Sequence, residues 1–135
     1  MVNESILNES VLKGLSVLYV EDDDLLRANL GKYLKRRFGE VFLASNGREG
    51  LDIYNNRKPD FVITDINMPV MNGNEMIKSI LAVDDAQPII ITTAFNDDEH
   101  TSTRCVNLIK PIDTNKLLEA IFYCIGTHSS KLTQT

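Results

Sequence analysis

Short apolar runs alternate with longer helical stripes along this chain. Ser16–Val20 (SVLYV) is apolar and β-branched, so it reads as a strand buried on both faces. Asp24–Phe38 then sets Leu26, Leu30, Tyr33, Leu34 and Phe38 on one helical stripe, with Gly39 placed to end it. Val41–Ala44 reads as a second strand, Asn46-Gly47 as a turn, and a helix follows near Arg48–Asn55. Phe61–Thr64 is a third strand. Beyond it, Asn72-Gly73 reads as a turn needing positive φ, and Glu75–Leu81 as a helix turning Met76, Ile77, Ile80 and Leu81 inward. Pro88–Thr92 (PIIIT) is the most apolar strand and Cys105–Ile109 a weaker fifth. Asp113 can cap a last helix striped by Leu117, Leu118, Ile121, Phe122 and Ile125.

Five strands alternating with about five helices predict an α/β, doubly wound parallel sheet with helices on both faces. At 135 residues the chain is one domain, expected at 14–126, after an N-terminal extension (1–13) and before a polar tail (127–135). The extension, polar with scattered Ile and Leu, is a candidate docking helix. With 43% hydrophobic and 24% charged residues, disorder of the whole chain is excluded. A net charge of −5 without a basic stripe argues against direct nucleic-acid binding. No run approaches the ~18 apolar residues of a membrane span, and the start has no secretory signal pattern, so a cytoplasmic location is expected. Cys105 and Cys124 lack metal or disulfide-framework spacing and are expected as buried thiols; His100 and His128 have no partners at metal or triad spacing. No G-x-G-x-x-G or P-loop is present.

In a doubly wound sheet, chemistry gathers at the carboxyl ends of the strands. Glu21-Asp22-Asp23-Asp24 follows the first strand, Asp65-Ile66-Asn67-Met68-Pro69 the third, Thr92-Thr93-Ala94 the fourth and Lys110-Pro111 the fifth. Crowded carboxylates repel unless a cation joins them. Hard oxygen ligands without nearby His or Cys select Mg²⁺ over zinc. A carboxylate beside Mg²⁺, an ammonium and a hydroxyl is suited to attack phosphorus. Asp23 and Asp24 read instead as acids favoured in the first turn of a helix.

The segments VLYVEDD, DINMPVMNG, ITTAF and NLIKPID resemble, in order and spacing, the CheY-like receiver domain of bacterial two-component response regulators. The resemblance covers Gly14 to Ile125. It implies a flavodoxin-like strand order 2-1-3-4-5 and an aspartyl-phosphate phosphorelay. Asp65 is then the phospho-acceptor. Asp22 binds Mg²⁺ directly, Glu21 largely through water, and Asn67 through its backbone carbonyl. Thr93, with Thr92 one register away, contacts the phosphoryl group, and Lys110 pairs with the acceptor; the Lys110-Pro111 bond is expected cis. The implied partners are a sensor histidine kinase or histidine phosphotransfer protein upstream, and an effector protein or linked output domain downstream. The domain is expected not to be an enzyme beyond its own phosphorylation and dephosphorylation.

The chain departs from the family pattern twice. Asn107 stands where the family usually has Tyr or Phe. Thr93 and Lys110 are only 17 positions apart, about five fewer than usual, or somewhat more than one helical turn. The shortfall lies in Asp97–Arg104, which has almost no apolar stripe. A shortened fourth helix is expected there, with activation acting as an order–disorder shift of Phe95–Cys105. Two rival readings remain: a degenerate receiver that only binds partners, and a Mg²⁺-dependent phosphohydrolase, whose general acid two residues past the nucleophile would fall on Asn67.

Overall fold

The computed structural model describes residues 10–94 and 107–127. Five parallel strands form one sheet: β1 (Ser16–Val20), β2 (Glu40–Ala44), β3 (Phe61–Asp65), β4 (Ile89–Thr93) and β5 (Asn107–Ile109). Their order is β2-β1-β3-β4-β5, as expected. Besides a helical turn at 10–12, four helices are described: α1 (Asp24–Arg37), α2 (Gly47–Arg57), α3 (Gly73–Val83) and, last among the described residues, α4 (Thr114–Thr127). The helix expected within 97–104, the proposed switch segment 95–105, Cys105, His100 and His128 lie outside the described residues.

Because side chains alternate along a strand, each central strand feeds two cores. Val17, Tyr19, Phe61, Ile63 and Ile90 meet Leu30, Leu34 and Phe38 of the α1 region and Leu117, Ala120, Ile121 and Cys124 of α4. Leu18, Val20, Val62, Ile89 and Ile91 meet Tyr54 of α2 and Met76, Ile77 and Ile80 of α3 on the other face. Two expected stripes shift. Leu26 is 43% exposed, because α1 tucks in only from Leu30 onward. In α4 the buried line is Leu117, Ala120, Ile121 and Cys124, while Leu118, Phe122 and Ile125 pack at its margin. The small Ala120 and Cys124 side chains let that face approach the sheet.

Three turn expectations are corrected. Asn46-Gly47 is not a separate turn: Asn46 caps α2 and its side chain accepts from the Glu49 amide at 2.9 Å. Asn72-Gly73 needs no positive φ, since Asn72 and Glu75 form a capping box at the start of α3. The left-handed residue of that loop is Val70, at φ 70°. Gly39 does not end α1 in a left-handed cap; Phe38 does so in extended conformation. Gly39 is required by crowding, as a Cβ there would stand 2.3 Å from the Lys13 carbonyl oxygen. Asp113 caps α4 as expected, its Oδ1 accepting from the Asn115 amide at 2.8 Å.

The same crowding draws the N-terminal extension into the fold. The Gly39 amide donates to the Leu15 carbonyl at 3.0 Å and to that of Leu12 at 3.2 Å, and Lys13 Nζ donates to the Arg36 carbonyl at 2.7 Å, near the negative end of α1. Leu12 is fully buried against the α1–α4 face. At the same amino-terminal edge, Tyr54 donates to Gln87 at 3.0 Å, and Gln87 donates to the Asp60 and Pro88 carbonyls. Burial, then the nearby Asp84 charge, push the Tyr54 hydroxyl up to about 12. This edge is closed by packing and hydrogen bonds, which leaves the carboxyl-terminal edge for chemistry. Leu12→Ala is expected to cost about 2–5 kcal/mol, the range for emptying a buried leucine site. Urea denaturation measures it, and a loss below about 0.5 kcal/mol would show that the segment is not part of the core.

Candidate functional site

The strand ends carry the chemistry one pleat at a time. Glu21 continues β1, its amide donating to the Ala44 carbonyl at 3.0 Å. Asp65 is the last residue of β3 and Thr93 the last of β4, so each strand runs one residue further than its apolar run predicts. Lys110 follows β5, its amide donating to the Thr93 carbonyl at 2.7 Å, and the Lys110-Pro111 bond is cis. Alternation therefore puts Glu21, Asp65 and Lys110 on the α1–α4 side of the sheet.

There the three side chains meet. Lys110 Nζ lies 2.7 Å from Glu21 Oε1 and 3.1 Å from Asp65 Oδ2. Asp65 Oδ1 accepts from the Ile66 amide at 2.7 Å, and Glu21 Oε2 from the Asp23 amide at 3.0 Å. Glu21 is 1% exposed and Asp65 6%. Asp22 and Asn67 are exposed at the rim, and Thr93 is buried. Asp23 and Asp24 take the structural roles expected of them: Asp23 caps α1 and Asp24 pairs with Arg27 at 2.6 Å.

The loop after β3 is held close by a glycine. The Gly73 amide donates to the Ile66 carbonyl at 2.8 Å, and a Cβ at Gly73 would lie 2.1 Å from the Asp65 carbonyl oxygen. Only hydrogen fits there. Met68, 9% exposed, anchors the same loop into the α2–α3 core.

Burial is the largest influence on Glu21 and raises its carboxyl above the usual range, although the Lys110 ammonium pulls it down. Burial also opposes the charge on Lys110, but its hydrogen bonds to Glu21 and Asp65 prevail and raise it. Buried Tyr19, on the same face, has its hydroxyl pushed far up by desolvation and then by Glu21 and Asp65. Oxygen atoms of Glu21, Asp22 and Asp65 all lie within 4.8 Å of one another. Three carboxylates that close, two of them buried, suit a hard divalent cation such as Mg²⁺, with Asp22 open to water as Mg²⁺ prefers.

Some features were not read from the sequence. Arg27 Nη1 donates to the Glu21 carbonyl at 2.7 Å and so braces the loop after β1. Tyr19 and Leu26 line a cavity of about 520 Å³ beside Glu21 and Lys110. The Thr92 hydroxyl is fully buried without a hydrogen-bond partner, and so is Asn107 Oδ1. A polar residue inside PIIITT was the available sign for Thr92.

The fold is a doubly wound α/β sheet with a cluster of three acids beyond its strand ends. The sequence profile described as "Response regulator receiver domain" matches residues 17–122, and the chain belongs to that family. Chemotaxis protein CheY of Thermotoga maritima is 33% identical over 114 residues, which cover 80% of this chain and 95% of that protein. Transcriptional regulatory protein AfsQ1 of Streptomyces coelicolor is 37% identical over 83 residues, 62% of this chain; the match spans 36% of AfsQ1. Among solved structures, the response regulator TrrA of Thermotoga maritima in complex with Mg²⁺-BeF superposes with a TM-score of 0.73 at 26% identity, covering 82% of this chain and 98% of that one. Receiver domains are not enzymes in the usual sense. No helix among the described residues is long and apolar enough to cross a membrane.

An acid whose carboxyl is raised in the folded state costs stability while ionised, and the cost falls as pH drops through the folded value. Lys110→Met removes the ammonium that offsets this cost at Glu21. In chelator, the variant is expected to be less stable than the parent at neutral pH, with the gap narrowing as the pH is lowered and Glu21 protonates. Chemical denaturation across that range measures it. A gap independent of pH would show that the pairing with Glu21 is not the cause.

Proposed function

We propose that this chain is a phosphoryl-accepting receiver, expected at 14–126 and extended by the packing of Leu12 to include that residue, with Asp65 as the acceptor. The observation that carries the reading is the buried Asp65 carboxylate, hydrogen-bonded to Lys110 within a cluster of three acids. Glu21, Asp22 and Asp65 through carboxylates, and Asn67 through its backbone carbonyl, would hold Mg²⁺. Bound there, the ion offsets negative charge on the transferring phosphoryl oxygens. The Mg²⁺-BeF complex of TrrA supports this reading of the acidic pocket.

The residues act in sequence. An Asp65 oxygen attacks the phosphorus of a phosphohistidine on a sensor kinase or histidine phosphotransfer protein; the P–N bond breaks, and the imidazole leaves and takes up a proton. Before transfer Lys110 donates a hydrogen bond to Asp65 Oδ2, and afterwards its ammonium turns to the phosphoryl oxygens. Thr93 offers its hydroxyl from the end of β4. Hydrolysis reverses the state: a water oxygen attacks phosphorus, the bond to Asp65 breaks, and inorganic phosphate leaves. The output goes to an effector protein or a linked output domain, in the cytoplasm.

One observation favours a second reading. Asn107, half-buried and with a carbonyl oxygen lacking a partner, replaces the family's usual aromatic, as in a receiver that binds partners without phosphorylation. The complete set of Glu21, Asp22, Asp65, Thr93 and Lys110 supports the first. A phosphohydrolase is disfavoured, because Asn67 offers no acid to a leaving group.

Intact mass after incubation with acetyl phosphate and Mg²⁺ is expected to show one added phosphoryl group on the parent and none on Asp65→Asn. Asp22→Ala is expected to need about tenfold more Mg²⁺ for half-maximal incorporation. Full incorporation in Asp65→Asn would remove Asp65 from the role, and an unmodified parent would favour the degenerate reading.

A further inference from the structure

Thr92 is one rung from Asp65, and its hydroxyl makes no hydrogen bond in the resting fold. Its Cα pairs with that of Asp65 across β3 and β4, and with that of Leu108 across β4 and β5. In a parallel ladder such partners share a face, so Thr92 stands with Asp65 and Lys110 on the α1–α4 side. Adjacent strands are about 4.8 Å apart, so a change of threonine rotamer moves the hydroxyl toward the Asp65 carboxyl. Yet Thr92 is completely buried and its Oγ1 has no hydrogen-bond partner. Buried polar atoms are nearly always satisfied, and an exception calls for a physical account. A valine would fill the same space without leaving a buried hydroxyl unpaired.

The arrangement around Asp65 supplies that account. At rest both carboxylate oxygens are engaged, Oδ1 by the Ile66 amide and Oδ2 by Lys110. Once Asp65 carries a phosphoryl group, that group's oxygens compete for the Lys110 ammonium, and the acyl end of Asp65 loses a donor. Resting on the phospho-acceptor reading above, we propose that the Thr92 hydroxyl then donates to an Asp65 oxygen and is a catalytic residue for dephosphorylation. When water attacks phosphorus, the P–O bond to Asp65 breaks and its electron pair returns to the carboxylate. The Thr92 O–H steadies that developing charge by a hydrogen bond and keeps its own proton. This role differs from that of Thr93, whose side chain alternates to the opposite face. Thr92 acts on the leaving carboxylate, and Thr93 on the transferred group.

The test compares the full-length parent with Thr92→Val and Thr92→Ser, each loaded with acetyl phosphate and Mg²⁺ and followed by intact mass as the phosphoryl group decays. Thr92→Val is expected to lose the group about tenfold more slowly, the size expected of a donor to developing charge. Thr92→Ser is expected to decay at close to the parent rate. Unphosphorylated Thr92→Val is expected to melt at or above the parent temperature, since it removes an unsatisfied polar atom. Parent-like decay in Thr92→Val, slow decay in both variants, or a lower melting temperature in Thr92→Val would each overturn the proposal. Failure of the parent itself to take up the group would instead overturn the phospho-acceptor reading.

Discussion

The organisation of this domain depends on one interaction, the Lys110 ammonium held between Glu21 and Asp65. Two almost fully buried carboxylates side by side are unfavourable, because desolvation and mutual repulsion both oppose their charge. The ammonium relieves both. It comes from beyond the fifth strand, 89 residues from Glu21 and 45 from Asp65, so it arrives only if the whole sheet is assembled in register. The site is therefore a readout of the fold as well as its product.

The rest of the structure keeps that register. Side-chain alternation sends one set of apolar residues to each face, and a slip of one residue would turn Asp65 away from Lys110 and bury it among the α2–α3 residues. Capping at Asp23, Asn46, Asn72 and Asp113 fixes where the helices begin, and so how far each loop extends over the site. The contact between Gly73 and the Asp65 carbonyl pulls the longest of these loops against the strand end. Polar clasps at Gln87, Asp60 and Ser16 close the opposite edge. Rigidity at one edge permits a charged, hydrated cluster at the other.

Two buried polar atoms without partners flank the end of β4 on opposite faces, Thr92 Oγ1 and Asn107 Oδ1. Thr92 stands on the strand beside Asp65, and Asn107 on the strand that leads to Lys110. In a core filled mainly by apolar side chains, such atoms make the resting state less than optimally satisfied. Local rules are broken most often at functional sites, and these two atoms lie beside the candidate site.

Much of this was legible in the residues themselves. Apolar runs located all five strands, the carboxyl-end rule gathered the segments that follow β1, β3, β4 and β5, and the family resemblance singled out Glu21, Asp22, Asp65, Thr93 and Lys110 within them. These signals are local or topological, and sequence carries both. Other features were decided only by tertiary packing. Leu12 joins the core because Gly39 leaves room for the chain to cross, a contact that nothing near Leu12 announces. Leu26 stays exposed although it fits the stripe, because periodicity defines a direction around a helix but not where the sheet ends beneath it. Asn72-Gly73 looks like a turn by composition, yet Gly73 serves a close approach to Asp65 rather than a positive φ. Thr92 enters the sequence reading only as the residue one register from Thr93; its unsatisfied hydroxyl on the rung beside Asp65 exists only once β3, β4 and β5 are paired, because a hydrogen bond is lost or made by what surrounds an atom in space.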